Sequence, residues 1–122
     1  MEKLINKAFI IDDEMDICFL LSSLLRQKKI TAEFAGTIKE AKTVLESKEP
    51  ELIFLDNHLP DGLGVNFISK IKELHPSTKV VMITADDTPA DRDKAMAAGA
   101  DYFLGKPFSK DVINRIVDNL PD

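Results

Sequence analysis

The chain has 122 residues, of which 44% are apolar, and its 16 basic and 21 acidic side chains give a formal net charge of −5. This length predicts one domain, spanning residues 1–122, and no apolar run approaches the roughly 18 to 20 residues of a membrane span. The acidic balance disfavours direct binding of nucleic acid, and the single cysteine, Cys18, excludes an internal disulfide and is typical of a cytoplasmic protein.

Five short apolar or β-branched runs recur along the chain, and each predicts a β-strand. In chain order they are AFII (8–11), TAEFA (31–35), LIFL (52–55), VVMI (80–83) and DYFL (101–104). The first, third and fourth runs are apolar on both faces, as in central parallel strands, whereas TAEFA alternates and predicts an edge strand. Because helical patterns separate the runs, the sequence predicts a three-layer α/β/α sandwich of five βα units.

Apolar spacing and capping residues predict the five helices. The first helix carries an apolar stripe of Ile17, Leu20, Leu21, Leu24 and Leu25. The second begins with Thr37 and Glu40 in a capping box. The third follows from Phe67, Ile68, Ile71 and Leu74. Thr88 caps the fourth helix, which Gly99 ends, and Ser109 caps the fifth.

Charged and hydroxyl side chains follow four of these strands. Asp12 and Asp13 follow the first strand, Asp56 the third, Thr84 the fourth and Lys106 the fifth. The carboxyl ends of parallel strands form one edge, so neighbouring strands would bring these groups together. Each like-charge pair about 4 Å apart costs about 4 kcal/mol at an effective dielectric of about 20. The carboxylates therefore predict a bound cation, and their hard oxygens favour Mg²⁺.

Each of these residues also has an ordinary explanation when it is taken alone. Asp12 and Asp13 are typical of a helix start, Asp56 of a turn, Thr84 of a strand and Lys106 of a solvated surface. Independent occurrence does not explain why acids, a hydroxyl and an ammonium group follow successive strands. The combination predicts a shared site more strongly than any member does.

Four motifs, taken in order, resemble the receiver domain of two-component response regulators, the CheY-like family. They are IDDE (11–14), LDNHLPDGLG (55–64), ITA (83–85) and GADYFLGKPF (99–108). The resemblance covers essentially the whole chain. It implies a flavodoxin-like, doubly wound, five-stranded parallel sheet with strand order 2-1-3-4-5.

The resemblance also assigns a phosphoacceptor and a metal site. Asp56 matches the residue that takes a phosphoryl group from a phosphohistidine of a sensor kinase or histidine phosphotransfer protein. Asp13, Asp56 and the backbone carbonyl of His58 match the Mg²⁺ ligands, and Asp12 matches the residue that holds a metal-bound water. Mn²⁺ is the alternative ion. The family implies a signalling phosphoacceptor rather than an enzyme, one that assists its own phosphorylation and dephosphorylation.

Three further residues match the parts of the family that respond to the phosphoryl group. Lys106 matches the lysine that pairs with Asp56 and then with the phosphoryl oxygens. Thr84 matches the switch hydroxyl, and Phe103 falls at the switch aromatic position. The Lys106–Pro107 peptide bond is expected to be cis.

The resemblance places the output surface on the fourth helix, fifth strand and fifth helix, which would bind an output domain or protein. The fourth helix, DRDKAMAAGA (91–100), offers mostly alanine and Met96 to the core and is expected to be weakly anchored. We expect a monomer, with dimerisation after phosphorylation as the alternative. No output segment follows the fifth helix, so a stand-alone receiver and a part of a larger regulator or hybrid kinase both remain open.

Two functions from other classes compete with this interpretation. A phosphatase-like hydrolase would use Asp56 on exogenous substrates, but such enzymes commonly have an acid two residues after the nucleophile, where this chain has His58. A flavodoxin-like cofactor binder would need a Ser/Thr/Gly-rich loop after the first strand, where Asp12, Asp13 and Glu14 would repel a phosphate unless a metal intervenes. The side chain of His58 is interpreted either as a base that activates water or as a solvated loop residue.

Overall fold

Five parallel strands form one sheet in the computed structural model, which describes residues 6–120. The strands are β1 (Lys7–Ile11), β2 (Thr31–Ala35), β3 (Leu52–Asp56), β4 (Lys79–Thr84) and β5 (Tyr102–Gly105). Their order is β2-β1-β3-β4-β5, which confirms the predicted order and the predicted edge position of TAEFA. The domain limits 1–122 stay a prediction, because residues 1–5 and 121–122 lie outside the described residues.

Helices cover both faces of the sheet, which confirms the predicted α/β/α sandwich. They are α1 (Met15–Gln27), α2 (Ile38–Ser47), α3 (Ile68–Leu74), α4 (Pro89–Ala98) and α5 (Lys110–Asn119). The apolar side chains of α1 and α5 pack in one cluster on one face, and those of α2, α3 and α4 pack in a second cluster on the other. Within residues 6–120, no helix combines the length and the apolar character needed to cross a bilayer.

Side-chain caps fix the helix starts that the sequence predicts. The Thr37 hydroxyl accepts the Glu40 N–H at 3.0 Å, and the Glu40 carboxylate accepts the N–H of Gly36 at 3.1 Å. Thr88 and Ser109 cap α4 and α5 in the same way, each accepting the N–H three residues further on. These bonds satisfy N–H groups that have no partner inside a helix.

The helices differ from the predicted stripes in which residues they bury. In α1 the buried residues are Cys18, Leu21, Leu24 and Leu25, whereas Leu20 is 45% exposed. Cys18 lies three residues before Leu21, so the buried face is rotated away from Leu20. Leu74, the last residue of α3, is also exposed, whereas Ile71 one turn earlier is buried.

The anchoring of α4 is much lighter than that of α5. Within the described helix α4, Ala95 is the one buried residue, and Met96, which was predicted to face the core, is 45% exposed. Helix α5 buries Ile113, Ile116 and Val117. Since burial of large apolar side chains supplies most helix stability in proteins, α4 is held weakly, as predicted.

Candidate functional site

The carboxyl-terminal edge of the sheet brings together the polar residues singled out in the sequence. Asp12 follows β1 and is 1% exposed, Asp56 ends β3 and is 4% exposed, and Thr84 ends β4 and is also buried. Lys106 follows β5, and its backbone N–H donates to the Thr84 carbonyl at 2.8 Å. The Lys106–Pro107 peptide bond is cis. Parallel strands therefore deliver these side chains to one place.

The Lys106 ammonium group lies among three carboxylates. Its Nζ is 2.6 Å from Glu14 Oε1, 3.0 Å from Asp12 Oδ2 and 3.4 Å from Asp56 Oδ1. Burial opposes the charge of Lys106, but its contacts with Glu14 and Asp12 outweigh burial and raise its pKa. Lys106 therefore carries its positive charge throughout the neutral range.

The site has more negative charge than Lys106 can neutralise. Burial, followed by the charge of Asp12, raises the pKa of Asp56 to about 6. Burial also raises the pKa of Asp12, against the opposing effect of a hydrogen bond from the Glu14 N–H. Although Lys106 is near, Asp12 Oδ2 is buried without a donor in hydrogen-bond geometry. Two buried carboxylates that share one ammonium group with Glu14 keep negative charge that a further cation would offset.

A divalent cation fits this arrangement. Asp12, Asp13 and Asp56 each offer a carboxylate oxygen, and the three oxygens lie within 4.8 Å of one another. Asp13 is exposed, so the group opens to solvent. Oxygen donors with access to water are the ligands that Mg²⁺ prefers, and the one ammonium group that Asp12 and Asp56 share with Glu14 leaves excess negative charge at this edge.

The loop after Asp56 is a tight structure that the sequence indicated only as a turn. Asn57 fixes it, because its carbonyl accepts the Gly64 N–H at 2.8 Å and its side-chain Oδ1 accepts the Val65 N–H at 3.0 Å. A Cβ on Gly64 would lie 2.2 Å from the Asp56 carbonyl oxygen, so only glycine fits there. Between these residues, His58–Leu59 pairs with Gly62–Leu63 in a short antiparallel hairpin.

Contacts of His58 and Asp61 in this hairpin were missed by sequence reasoning. His58 Nε2 lies 2.5 Å from Asp86 Oδ2, and the Asp86 N–H donates to Thr84 Oγ1 at 3.1 Å. Asp61 accepts two backbone N–H groups at the start of α2. The signal for the first pair was available: His58 and Asp86 each lie two residues after the end of a neighbouring strand.

Phe103 and Thr84 line the same small cavity beside α4. The cavity has a volume of about 80 Å³, and Asn57 and Ala95 also line it. Phe103 is buried, and the guanidinium group of Arg92 on α4 lies 5.0 Å from the centre of its ring. The candidate switch residues are thus adjacent to each other and to the lightly anchored helix.

Cys18 lies beneath the site and takes no part in it. Its thiol is buried and donates to the Asp12 carbonyl at 3.4 Å. Burial, followed by the charge of Asp12, raises the pKa of Cys18 to about 11. The thiol therefore supports the backbone that carries Asp12, as a protonated core side chain.

Comparison with known proteins identifies the family of this chain. A family model described as the response regulator receiver domain matches residues 8–118. The response regulator protein PilR of Pseudomonas aeruginosa is 40% identical over 102 residues, which are 84% of this chain and 23% of PilR. The chain spans between about a quarter and a half of the length of the curated relatives it matches.

Solved structures agree with this match. A two-component response regulator from Clostridium difficile superposes with a TM-score of 0.90 at 29% identity, covering 94% of each chain. The beryllofluoride-activated NtrC4 receiver domain dimer gives a TM-score of 0.85 at 36% identity, covering 93% of this chain and 94% of that one. The chain therefore belongs to the response regulator receiver domain family of two-component systems.

Proposed function

We propose that Asp56 accepts a phosphoryl group from a phosphohistidine of a sensor kinase or histidine phosphotransfer protein. The position of Asp56 carries this proposal. Its carboxylate ends a central strand, is 4% exposed and lies 3.4 Å from the Lys106 ammonium group, beside Asp12 and Asp13. With a pKa of about 6, Asp56 is mostly ionised at neutral pH and so able to act as a nucleophile.

Asp12, Asp13, Asp56 and the His58 backbone carbonyl would hold Mg²⁺, for which Mn²⁺ can substitute. When bound, the ion supplies positive charge that neutralises the phosphoryl oxygens during transfer. The three converging carboxylates, with more negative charge than Lys106 offsets, support this donor set. Asp12 would act through a metal-bound water, and the other three groups as direct ligands.

The residues of the chain then have distinct tasks in the transfer. An Asp56 oxygen attacks phosphorus in line, the bond between phosphorus and the partner's histidine nitrogen breaks, and the nitrogen keeps the electron pair. The product on Asp56 is an acyl phosphate. The Lys106 ammonium group, already within 3.4 Å of Asp56, moves to the new phosphoryl oxygens and holds their charge. Attack of water on the phosphorus of the acyl phosphate releases inorganic phosphate and returns the Asp56 carboxylate, so the chain assists its own phosphorylation and dephosphorylation without acting as a conventional enzyme.

Thr84 and Phe103 would convert phosphorylation into a shape change. The Thr84 hydroxyl accepts the Asp86 N–H, and a phosphoryl oxygen on Asp56 would give its proton an acceptor. As Thr84 moves toward Asp56, Phe103 can occupy the space beside it, since both line one cavity. Helix α4 responds because Ala95 alone of its described residues is buried. The surface of α4, β5 and α5 is the proposed output face.

The partners follow from the same family. Response regulator relatives imply a kinase that donates the phosphoryl group and an output domain or protein that reads the switch. The activated NtrC4 receiver is described as a dimer. We infer that this chain works in the cytoplasm as a monomer and that phosphorylation favours a dimer through the output face, with no direct binding of nucleic acid.

Labelling with acetyl phosphate tests the assignment of Asp56. We expect intact-mass spectrometry to show one added phosphoryl group in the presence of Mg²⁺, and none after chelation of the metal. Asp56→Ala should abolish the gain, whereas Asp93→Asn, which removes an exposed acid on α4, should retain it. Labelling that survives Asp56→Ala contradicts the assignment. Turnover of phosphomonoesters would favour the hydrolase instead.

A further inference from the structure

The carboxylate of Asp61 ties the hairpin after Asp56 to the start of α2. Asp61 Oδ1 accepts the Ile38 N–H at 2.8 Å, and Oδ2 accepts the Lys39 N–H at 3.0 Å. These partners are 23 and 22 residues away in the sequence. Both bonds run to an ionised acceptor at a helix N-terminus, where charge assistance and the helix dipole strengthen them.

The bonds from Asp61 complete the first turn of α2. The Glu40 N–H is taken by Thr37 from within the same segment, which leaves the N–H groups of Ile38 and Lys39 for an external acceptor. Asp61 supplies both acceptor oxygens, and these bonds lower its pKa. The carboxylate is therefore ionised at neutral pH and fully engaged with α2.

The hairpin and α2 also meet closely beside Asp61. Gly62 has a φ of +155°, and a Cβ at this position would lie 3.0 Å from Ile38 Cδ1. The Gly62 backbone therefore lies beside the Ile38 side chain, and a larger residue at this position would meet it. The two bonds from Asp61 to α2 oppose movement of the hairpin away from the helix.

Both segments border residues of the metal site. The segment before α2 lies against Asp13, because a Cβ on Gly36 would be 3.7 Å from Asp13 Cα, and the Ala35 carbonyl accepts the Asp12 N–H at 3.0 Å. The hairpin carries His58, the source of the proposed carbonyl ligand. A continuous series of contacts therefore runs from Asp13 through the start of α2 and Asp61 to the hairpin.

We propose that Asp61 is a positioning residue of the Mg²⁺ site, which holds the His58 carbonyl and Asp13 at a fixed separation by joining the hairpin to α2. Asp61 does not touch the ion in this scheme. It acts as outer partners of metal ligands do, by restricting where the ligands can lie before the ion arrives. The inference rests on the proposed function, since that function supplies the role of the His58 carbonyl.

A comparison of Asp61→Ala with Thr37→Ala tests the proposal on the full chain. Both variants remove side-chain caps from the start of α2, but only Asp61→Ala releases the hairpin. By titration calorimetry with Mg²⁺ alone, we expect Asp61→Ala to raise the dissociation constant about tenfold. Thr37→Ala should stay within about twofold of wild type, and Asp61→Asn, which keeps one acceptor, should fall between the two.

Two further measurements separate positioning from a general loss of structure. Hydrogen exchange should show faster exchange of the Ile38 and Lys39 amides in Asp61→Ala, with the sheet amides unchanged. In acetyl phosphate labelling, the Mg²⁺ concentration for half-maximal rate should rise while the maximal rate stays the same. A rise in that concentration with a constant maximal rate is not expected from partial unfolding, which lowers the maximal rate.

The proposal is overturned by equal weakening of Mg²⁺ binding in Asp61→Ala and Thr37→Ala, or by unchanged binding in Asp61→Ala despite faster exchange at Ile38 and Lys39. If Asp61→Ala does not fold, Asp61→Asn decides by the same criteria. A wild-type chain that binds Mg²⁺ but is not labelled would contradict the proposed phosphoacceptor function alone, and the binding comparison would still decide the role of Asp61. A wild-type chain that does not bind Mg²⁺ overturns the inference about Asp61.

Discussion

The two ends of the central sheet differ in whether their buried and partly buried polar groups have enough hydrogen-bond and ion-pair partners. At the amino-terminal ends of β4 and β5, Asp101 accepts bonds from the Val80 N–H and from Lys72 Nζ, both at 2.8 Å. Nearby, the buried Thr78 hydroxyl donates to the Pro50 carbonyl at 2.7 Å. Each of these groups has a partner of opposite charge or complementary hydrogen-bonding type, so the polar groups at this end stabilise the fold.

At the carboxyl-terminal ends of the strands, the carboxylates outnumber the positive groups that could pair with them. Asp12 and Asp56 are buried, and together with Glu14 they share the single ammonium group of Lys106. Burial raises the pKa of both aspartates, which means that the folded chain opposes their ionisation. This end therefore reduces stability in the absence of a cation, and its charged groups are the ones to which we assign metal binding and phosphoryl transfer in the proposed function.

The largest expected effect is a gain of stability from Asp56→Asn. This change removes a buried negative charge at the carboxyl-terminal ends of the strands while keeping the shape of the side chain. From a pKa of about 6 against an ordinary 3.8, we expect the free energy of unfolding of the metal-free chain at pH 7.5 to rise by about 3 kcal/mol. Urea denaturation measures the change, and the exposed Asp93→Asn should alter it by less than about 0.5 kcal/mol.

The pH dependence provides the control for that prediction. Between pH 3.8 and about 6 the folded chain binds more protons at Asp56 than the unfolded chain does, so stability falls as pH rises through this window. The advantage of Asp56→Asn should therefore disappear as the pH is lowered to about 4. An advantage that stays constant from pH 4 to 7.5 would show that the burial of charge is not its cause.

Removal of a carboxylate at the amino-terminal ends of the strands should lower, rather than raise, the free energy of unfolding. Asp101→Ala leaves Lys72 and the Val80 N–H without their shared acceptor, and we expect a loss of about 2 kcal/mol in the free energy of unfolding. Asp118→Ala, which breaks the more exposed pair with Lys28, should cost less than about 1 kcal/mol. Equal losses for Asp101→Ala and Asp118→Ala would contradict the contrast between the two ends.

Binding of Mg²⁺ should offset the loss of stability that the carboxylates at the carboxyl-terminal ends of the strands cause. When its free concentration is ten times its dissociation constant, a ligand that binds only the folded chain adds about 1.4 kcal/mol to the free energy of unfolding. We expect this increment for the wild-type chain and a much smaller one for Asp56→Asn, as measured by urea denaturation with and without the ion. A similar increment in both chains would place the ion away from Asp56.

The smallest predicted effect concerns a single neutral hydrogen bond. Thr78→Val keeps the volume of the side chain but leaves the Pro50 carbonyl without its donor, and should lower the free energy of unfolding by about 1 kcal/mol. Thr78→Ser, which retains the hydroxyl, is the matched control and should lose less than Thr78→Val. If the serine variant is the less stable of the two, lost methyl packing rather than the hydrogen bond dominates at this position.

The sequence predicted the sheet and the convergence of the site because both depend on short-range patterns. Apolar runs identified the strands, and parallel strands necessarily share an end, so Asp12, Asp56, Thr84 and Lys106 had to meet once the order was known. The caps at Thr37, Thr88 and Ser109 were likewise local signals, each readable within four residues.

Features that depend on helix rotation or on the path of loops were not predicted. Leu20 is exposed because Cys18 turns the buried face of α1, and a stripe of leucines does not reveal that rotation. The bonds of Asp61 to α2 and of Lys106 to Glu14 join residues 22 to 92 positions apart. Such contacts depend on where the whole fold places the loops, so the spacing of residues in the sequence does not predict them.

The buried thiol of Cys18 has a practical consequence for measuring the motion of α4. Because its pKa is about 11 and its Sγ is buried against the Asp12 carbonyl, almost no reactive thiolate exists at neutral pH. A maleimide dye should therefore leave Cys18 unmodified and attach only to a cysteine introduced on the surface. Met96→Cys, at an exposed position of α4, would give a singly labelled chain whose fluorescence follows that helix, with the native cysteine left in place.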